Sequence, residues 1–201
     1  MGRPSSFDRD AAIETAMQEM WRHGYNASSV KAISETLGIK RSSFYNAFGS
    51  REELFKEALT VYFAQSPDNI LRGELPEMPV LELLTNMFRA ICAARAGDPE
   101  GRGCLVINSL SELDESDAEL RDLIKGAVLS GAARLEELLS IAVQNGELPE
   151  TTNVHAKALA LQNLMVGINV FSKALRDEEQ LWLSVKTTLE GLGLYREGNL
   201  A

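Results

Sequence analysis

From Gly38 to Ser50 the chain reads GIKRSSFYNAFGS, a stretch that admits few structures. A tight turn at Gly38 leads into a helix of about two turns, Arg41 to Phe48. Phe44 and Phe48 are four apart and share one face, while at about 100° per residue Ser42 and Asn46 fall on the opposite arc and Tyr45 on its flank, with Arg41 opening the first turn. No acid lies between Lys40 and Arg51. One side is therefore an aromatic anchor that must be buried on neighbours, and the other is a row of donors facing outward.

The flanking segments supply those neighbours. Asp8 is placed to cap a helix running to about Arg22, with Ala12, Ile13, Ala16, Met17, Met20 and Trp21 as its apolar stripe. Gly24 supplies a left-handed stop. Ser28 reads as the N-cap of a short second helix whose inward face is Val30, Ile33 and Leu37, and Ile39 anchors the following turn. Ser50 caps a fourth helix, with Glu52 and Glu53 in its first turn, where the helix dipole favours acids. Its stripe is Leu54, Phe55, Ala58, Leu59, Tyr62 and Phe63. A short donor-bearing helix after a glycine turn fits a helix-turn-helix reader of the DNA major groove. Basic, hydroxyl and amide groups suit phosphate oxygens and base edges. A small exposed helix in any α-bundle carries the same pattern.

Charge divides the chain in the same place. Residues 1–51 hold seven Lys/Arg against five acids, net +2; the remainder holds thirteen against twenty-four, net −11. Two modules with different partners are expected, a DNA-binding module over 1–66 and a second over 67–201, although chance variation among solvated faces would give the same charge split. The prolines and glycines of Pro67 and of Gly73 to Pro79 read as the turn between them. At 45% apolar and 24% charged, the composition excludes wholesale disorder and fibrous repeats. The first residues lack an apolar leader, and the cysteines are only Cys92 and Cys104. A reduced, cytoplasmic setting is the expectation.

The stretch from Phe7 to Tyr62, FDRDAAIETAMQEMWRHGYNASSVKAISETLGIKRSSFYNAFGSREELFKEALTVY, resembles the TetR-type bacterial transcriptional regulators. Its most specific part is Gly38 to Phe55. Ala47 stands where many relatives have a histidine, and Arg51 where lysine is usual. The resemblance implies an all-α fold: an N-terminal three-helix helix-turn-helix domain, then a C-terminal helical bundle that binds an effector and dimerises. It places Ser28 and Ser29 against a phosphate, Lys40, Arg41, Ser42 and Ser43 at the start of the recognition helix, and Tyr45 and Asn46 on phosphate or base edge. Arg51 would pair with the DNA backbone, and Arg3 would reach a neighbouring groove. Ser28 as a plain cap, and Arg3 as a free tail, stay open.

Helical spacing resumes at Val80 to about Ala96, then about Gly103 to Leu113, a long helix capped by Ser116 to Gln144, Asn153 to about Leu175, and Glu178 to Leu192, before a frayed end from Arg196. The segment from His155 to Leu175 is apolar nearly all round, so it is buried on several sides. Lys157, Gln162, Asn163, Asn169 and Lys173 interrupt it too often for a membrane span. Ala156, Ala160 and Gly167 would let helices approach closely. The resemblance implies a homodimer through the last two helices, which sets two readers about 34 Å apart on a palindromic, double-stranded DNA operator. It also implies a small-molecule effector in the C-terminal module. Met87, Phe88, Ile91, Cys104, Asn108, Met165 and Trp182 are the candidate lining, and each is equally at home in a core. A repressor released by that effector is the expected function. Cys104, at a helix start beside Arg102, is the alternative switch, a thiol that senses oxidants or electrophiles.

With only His23 and His155, no glycine-rich phosphate cradle and no Gly-x-Ser-x-Gly elbow, an enzyme is not expected. The histidines and cysteines make no zinc spacing, so neither metal nor cofactor is expected. A non-DNA adaptor that kept the bundle is the remaining class.

Overall fold

A computed structural model describes residues 8–73, 77–114 and 117–197, and among these it is entirely helical. In order come α1 (Arg9–His23), α2 (Val30–Thr36), α3 (Arg41–Phe48), α4 (Arg51–Gln65), a 3-10 turn (Pro67–Leu71), α5 (Val80–Ala96), α6 (Leu105–Glu112), α7 (Ala118–Gln144), α8 (Val154–Phe171) and α9 (Glu178–Gly191). The all-α fold is the one the periodicity predicts.

Short polar side chains start several of these helices. Asp8 accepts from the Ala11 N–H at 3.0 Å, Ser50 from Glu53 at 3.1 Å and Asn153 from Ala156 at 3.0 Å. The cap of α2 falls one residue later than the sequence suggests. Ser29, not Ser28, accepts from the Ala32 N–H at 3.2 Å. Ser28 turns inward and is buried, donating its hydroxyl to the Gly24 carbonyl at 2.7 Å. Gly24 leaves α1 at φ +84°, so its carbonyl has no helical partner, and the serine satisfies it. α8 also ends earlier than expected, at Phe171, where the N–H groups of Lys173 and Ala174 fold back on Val170 and Phe171. Ser116 and the last four residues lie outside the described residues.

Two hydrophobic cores divide the molecule. The first joins α1 to α4 through Met17, Met20, Ile33, Phe44, Phe48, Leu54 and Phe55. It does not stop at residue 66: Leu105 and Val106 of α6, and Leu120 and Ile124 of α7, belong to it. The second is built by α5, α8, α9 and the later half of α7, with Leu135, Leu138, Leu139 and Ala142. At 27 residues α7 is about 40 Å long, enough to serve both cores. The N-terminal unit is thus seated on α6 and the start of α7.

Candidate nucleic-acid interface and interior cavity

α3 is held by its aromatic side and by an arginine clamp. Phe44 and Phe48 are buried, with ring centroids 5.3 Å apart. Arg9 forks onto Glu57 with two bonds of 2.7 Å and donates from Nε to the Ala47 carbonyl at 3.2 Å. The last turn of α3 is thereby fixed to α1 and α4. Gly38, at φ +64°, turns the chain from α2 into α3.

The opposite side of α3 is open. Lys40, Arg41, Ser42, Ser43 and Asn46 are exposed, and Tyr45 is 52% exposed beside them. Lys40 occupies the N-cap with no side-chain bond, so the first N–H groups of α3 are uncapped and point out with the side chains. Lys40 and Arg41 have no ion-pair partner among the described residues. Ser29 is exposed at the start of α2, and a shallow cleft joins it to Tyr45 and Ser50. This surface combines two cations without ion-pair partners among the described residues, hydroxyls, an amide and the positive end of a helix dipole, a chemistry complementary to anions.

Other expected contacts sit elsewhere. The hydroxyl of Ser28 is committed to Gly24 inside the turn. Arg51 lies over the Tyr25 ring at 4.0 Å, donates to the Tyr25 carbonyl at 3.5 Å and approaches Asp117 at 4.0 Å. Its guanidinium ties α4 to the turn after α1 and to the start of α7. Burial pushes the Tyr25 phenol up to about 12. Arg3 lies outside the described residues.

A partly open cavity of about 430 Å³, within the usual range for small-molecule sites, lies between α4 and the helices of the C-terminal half. Ile91, Cys104 and Met165 line it. Met87 and Phe88 are instead packed into the second core, because the cavity meets a different arc of α5. Trp182 lies under Arg89 at 4.7 Å and beside Tyr195, away from the cavity. Asn108 faces a separate cleft, donating to the Arg102 carbonyl at 2.8 Å and accepting from Lys173 at 2.6 Å. Polar lining that the sequence reading missed includes Tyr62, Asp68, Arg95, Gln162 and Asn169. Arg95 carried a visible signal: it continues the buried stripe Leu84, Phe88 and Ile91, where a charge is out of place. The described residues contain no cluster of three or more His, Cys, Asp or Glu placed for a metal ion.

The cavity shares walls with the seat of the N-terminal unit. Tyr62 and Phe63 of α4, and Val106 of α6, touch the cavity and also belong to the first core or pack on it. Beside it, Arg102 stacks on Trp21 at 3.9 Å, binds Gln18 at 2.6 Å and pairs with Asp98 at 3.0 Å. Arg22 reaches Glu100 at 2.8 Å, and Asn26 donates to the Glu112 carbonyl at 2.9 Å.

Comparison with known proteins bears on the whole chain. Residues 12–58 match the family model described as bacterial regulatory proteins, tetR family, and residues 80–187 match one described as tetracyclin repressor-like, C-terminal domain. The chain is 30% identical over 191 residues to the HTH-type transcriptional repressor ComR of Escherichia coli, covering 94% of this chain and 90% of that one. It is 31% identical over 122 residues to the HTH-type transcriptional repressor BdcR of Escherichia coli, covering 61% and 60%. Among solved structures, a cysteine-substituted CifR complexed with 26-base-pair operator DNA superposes with a TM-score of 0.83 at 29% identity, covering 94% of this chain and 98% of that one.

Proposed function

The chain belongs to the TetR family of bacterial regulatory proteins, and from that premise we propose that it is a homodimeric repressor of a palindromic operator, released by a small molecule. The observation that carries this reading is the open face of α3, Lys40 to Asn46, whose two cations have no internal partner. Ser29, Lys40, Arg41, Ser42, Ser43, Tyr45 and Asn46 form the contact set. Phosphate pairing there supplies affinity, and Arg41, Tyr45 and Asn46 are placed to reach base edges.

One reader of two turns makes few contacts, so two are needed on one rigid body. The outer faces of α8 and α9 support pairing. Leu159, Val170, Phe171 and Leu183 are each about half exposed or more, at 50%, 55%, 49% and 63%. Ala156 and Gly167 leave the backbone of α8 open between them. Large apolar side chains exposed together on neighbouring helices are characteristic of an interface between copies. No described helix is long and apolar enough to cross a membrane, so this face has no reading as a span. A bacterial operator places the protein's action in the cytoplasm.

Release follows from the shared walls. A ligand that fits the cavity better when α4 and α6 shift draws the population toward that arrangement and re-seats the reader. Fluorescence anisotropy with duplex from the protein's own upstream region tests the reading. Complex formation that weakens steeply with salt is expected. Absence of complex at low salt, with folded protein present, contradicts it.

Cys104 supports a second trigger at the same place. Its thiol is free and partly exposed, lines the cavity and neighbours the buried Tyr62 hydroxyl. Oxidation or alkylation there would act on the same α4–α6 wall, and Cys104→Ser would abolish such a response while sparing DNA binding.

A further inference from the structure

Arg95 is 5% exposed and lines the cavity. Its Nε donates to Asn169 Oδ1 at 2.5 Å and its Nη2 to the Tyr62 hydroxyl at 3.2 Å. Both partners are neutral. No carboxylate among the described residues lies within ion-pair distance of the guanidinium, so a permanent charge is held inside the protein without a direct ion-pair contact, and Asp68 is the acid that shares the cavity. A guanidinium has five N–H donors, and these two bonds leave others unused. An unpaired charge in such surroundings is expensive, and buried charges are normally paired.

The surroundings define what would complete the site. Arg72 and Arg134 also line the cavity, but Arg72 stacks over Phe63 at 3.8 Å and Arg134 is held by the Leu71 carbonyl and by Glu137. Asp68, the acid in the lining, accepts from Ser66. The walls are otherwise largely apolar, with Ile91, Val106, Val128, Met165 and Val166. Across from α5, the buried Oε1 of Gln162 has no hydrogen-bond partner. A Cβ on Gly131 would come within 2.9 Å of that oxygen, so the bare glycine preserves the space it occupies.

We propose that this cavity binds a small organic carboxylate with an apolar body, its carboxylate paired with Arg95 and a hydroxyl or N–H of its body donating to Gln162. The proposal rests on the effector reading above and names the chemical class of the effector. A monocarboxylate matches one unpaired guanidinium, whereas a phosphate dianion would bring a second negative charge into a cavity that already holds Asp68.

Isothermal titration of the full-length protein with 4-hydroxybenzoate and 6-hydroxyhexanoate, whose hydroxyls can donate to Gln162, against 4-hydroxybenzamide and 6-hydroxyhexanamide, tests it. Each carboxylate should bind about 10- to 100-fold more tightly than its amide. Arg95→Gln should remove that preference, and Arg95→Lys should restore part of it. Ala127→Phe, which fills the cavity and leaves Arg95 in place, should abolish binding of both series. Should Arg95→Gln fail to fold, the carboxylate-to-amide ratio in the unaltered protein and the Arg95→Lys variant carry the test. Amides that bind as tightly as the acids, a preference unchanged in Arg95→Gln, tighter binding of 4-hydroxyphenyl phosphate than of 4-hydroxybenzoate, or no binding by either carboxylate would each overturn the proposal. A neutral compound that enters the cavity and frees operator DNA would overturn it while leaving effector release standing. A carboxylate bound through Arg95 without effect on DNA would support it and remove the release reading.

Discussion

The guanidinium of Arg51 lies over the ring of Tyr25, 4.0 Å from its centre, and approaches Asp117, and so belongs to the joint between the N-terminal unit and α7 rather than to its outer face. This separates the cations of the N-terminal unit into two kinds. Arg41 and Lys40 face outward unpaired, whereas Arg51 and Arg9 fix the elements that present them. Arg51→Ala should lower stability by about 1–2 kcal/mol through the lost stacking. It should leave the salt slope of DNA binding unchanged, whereas Lys40→Ala, which removes one phosphate contact from each of the two readers, should reduce that slope by about 1.8. Chemical denaturation and anisotropy across a salt series read the two effects.

Phe44 and Tyr45 are adjacent and should respond oppositely. Phe44 is fully buried and Tyr45 is 52% exposed. Phe44→Ala is expected to destabilise the fold by about 3–5 kcal/mol. Tyr45→Ala should change stability by less than about 0.5 kcal/mol and still weaken DNA binding. Thermal melts paired with anisotropy distinguish them.

Asp98 gives the joint a dependence on acid. Burial alone would raise its carboxyl, but the side chain and backbone N–H of Arg102 outweigh burial and hold it below the usual carboxylate range. A depressed native value stabilises the fold above the unfolded carboxyl pKa of about 3.9, and that stability is lost as pH falls through the native value. Asp98→Asn should therefore melt lower than the parent protein at pH 7, with the gap closing below about pH 4. A melting series over pH measures it.

The two cysteines should differ in reactivity. Burial pushes the Cys92 thiol up to about 12, while Cys104 is partly exposed at the cavity wall. Iodoacetamide at pH 8 should label Cys104 first, with Cys92 following only on unfolding. Mass spectrometry of the peptides reads the order, and a filled cavity should protect Cys104.

The reader was legible because its signals are local. Phe44 and Phe48 set one helix face, the absence of acids set the other, and both survive intact in the structure. Ser28 and Ser29 show the limit of that reading: adjacent serines compete for one cap, and the orphan carbonyl of Gly24 decides between them. The role of Arg51 depends on Tyr25 and Asp117, partners brought together only by packing. In the cavity the helices were found but not their facing arcs. Met87 and Phe88 lie on α5 with Ile91, yet only Ile91 reaches the space. Arg95 was visible as a charge on an apolar stripe, but its neutral partners come from α4 and α8, and periodicity along one helix does not reveal them.

The central claim, that two copies of the Lys40–Asn46 face hold one duplex, is tested most directly by sedimentation velocity of the protein with its own upstream DNA. Two chains per duplex are predicted, in a complex that weakens steeply with salt and is lost in Arg41→Ala while the dimer remains. A monomer bound alone, or a complex indifferent to both salt and Arg41, would contradict the account.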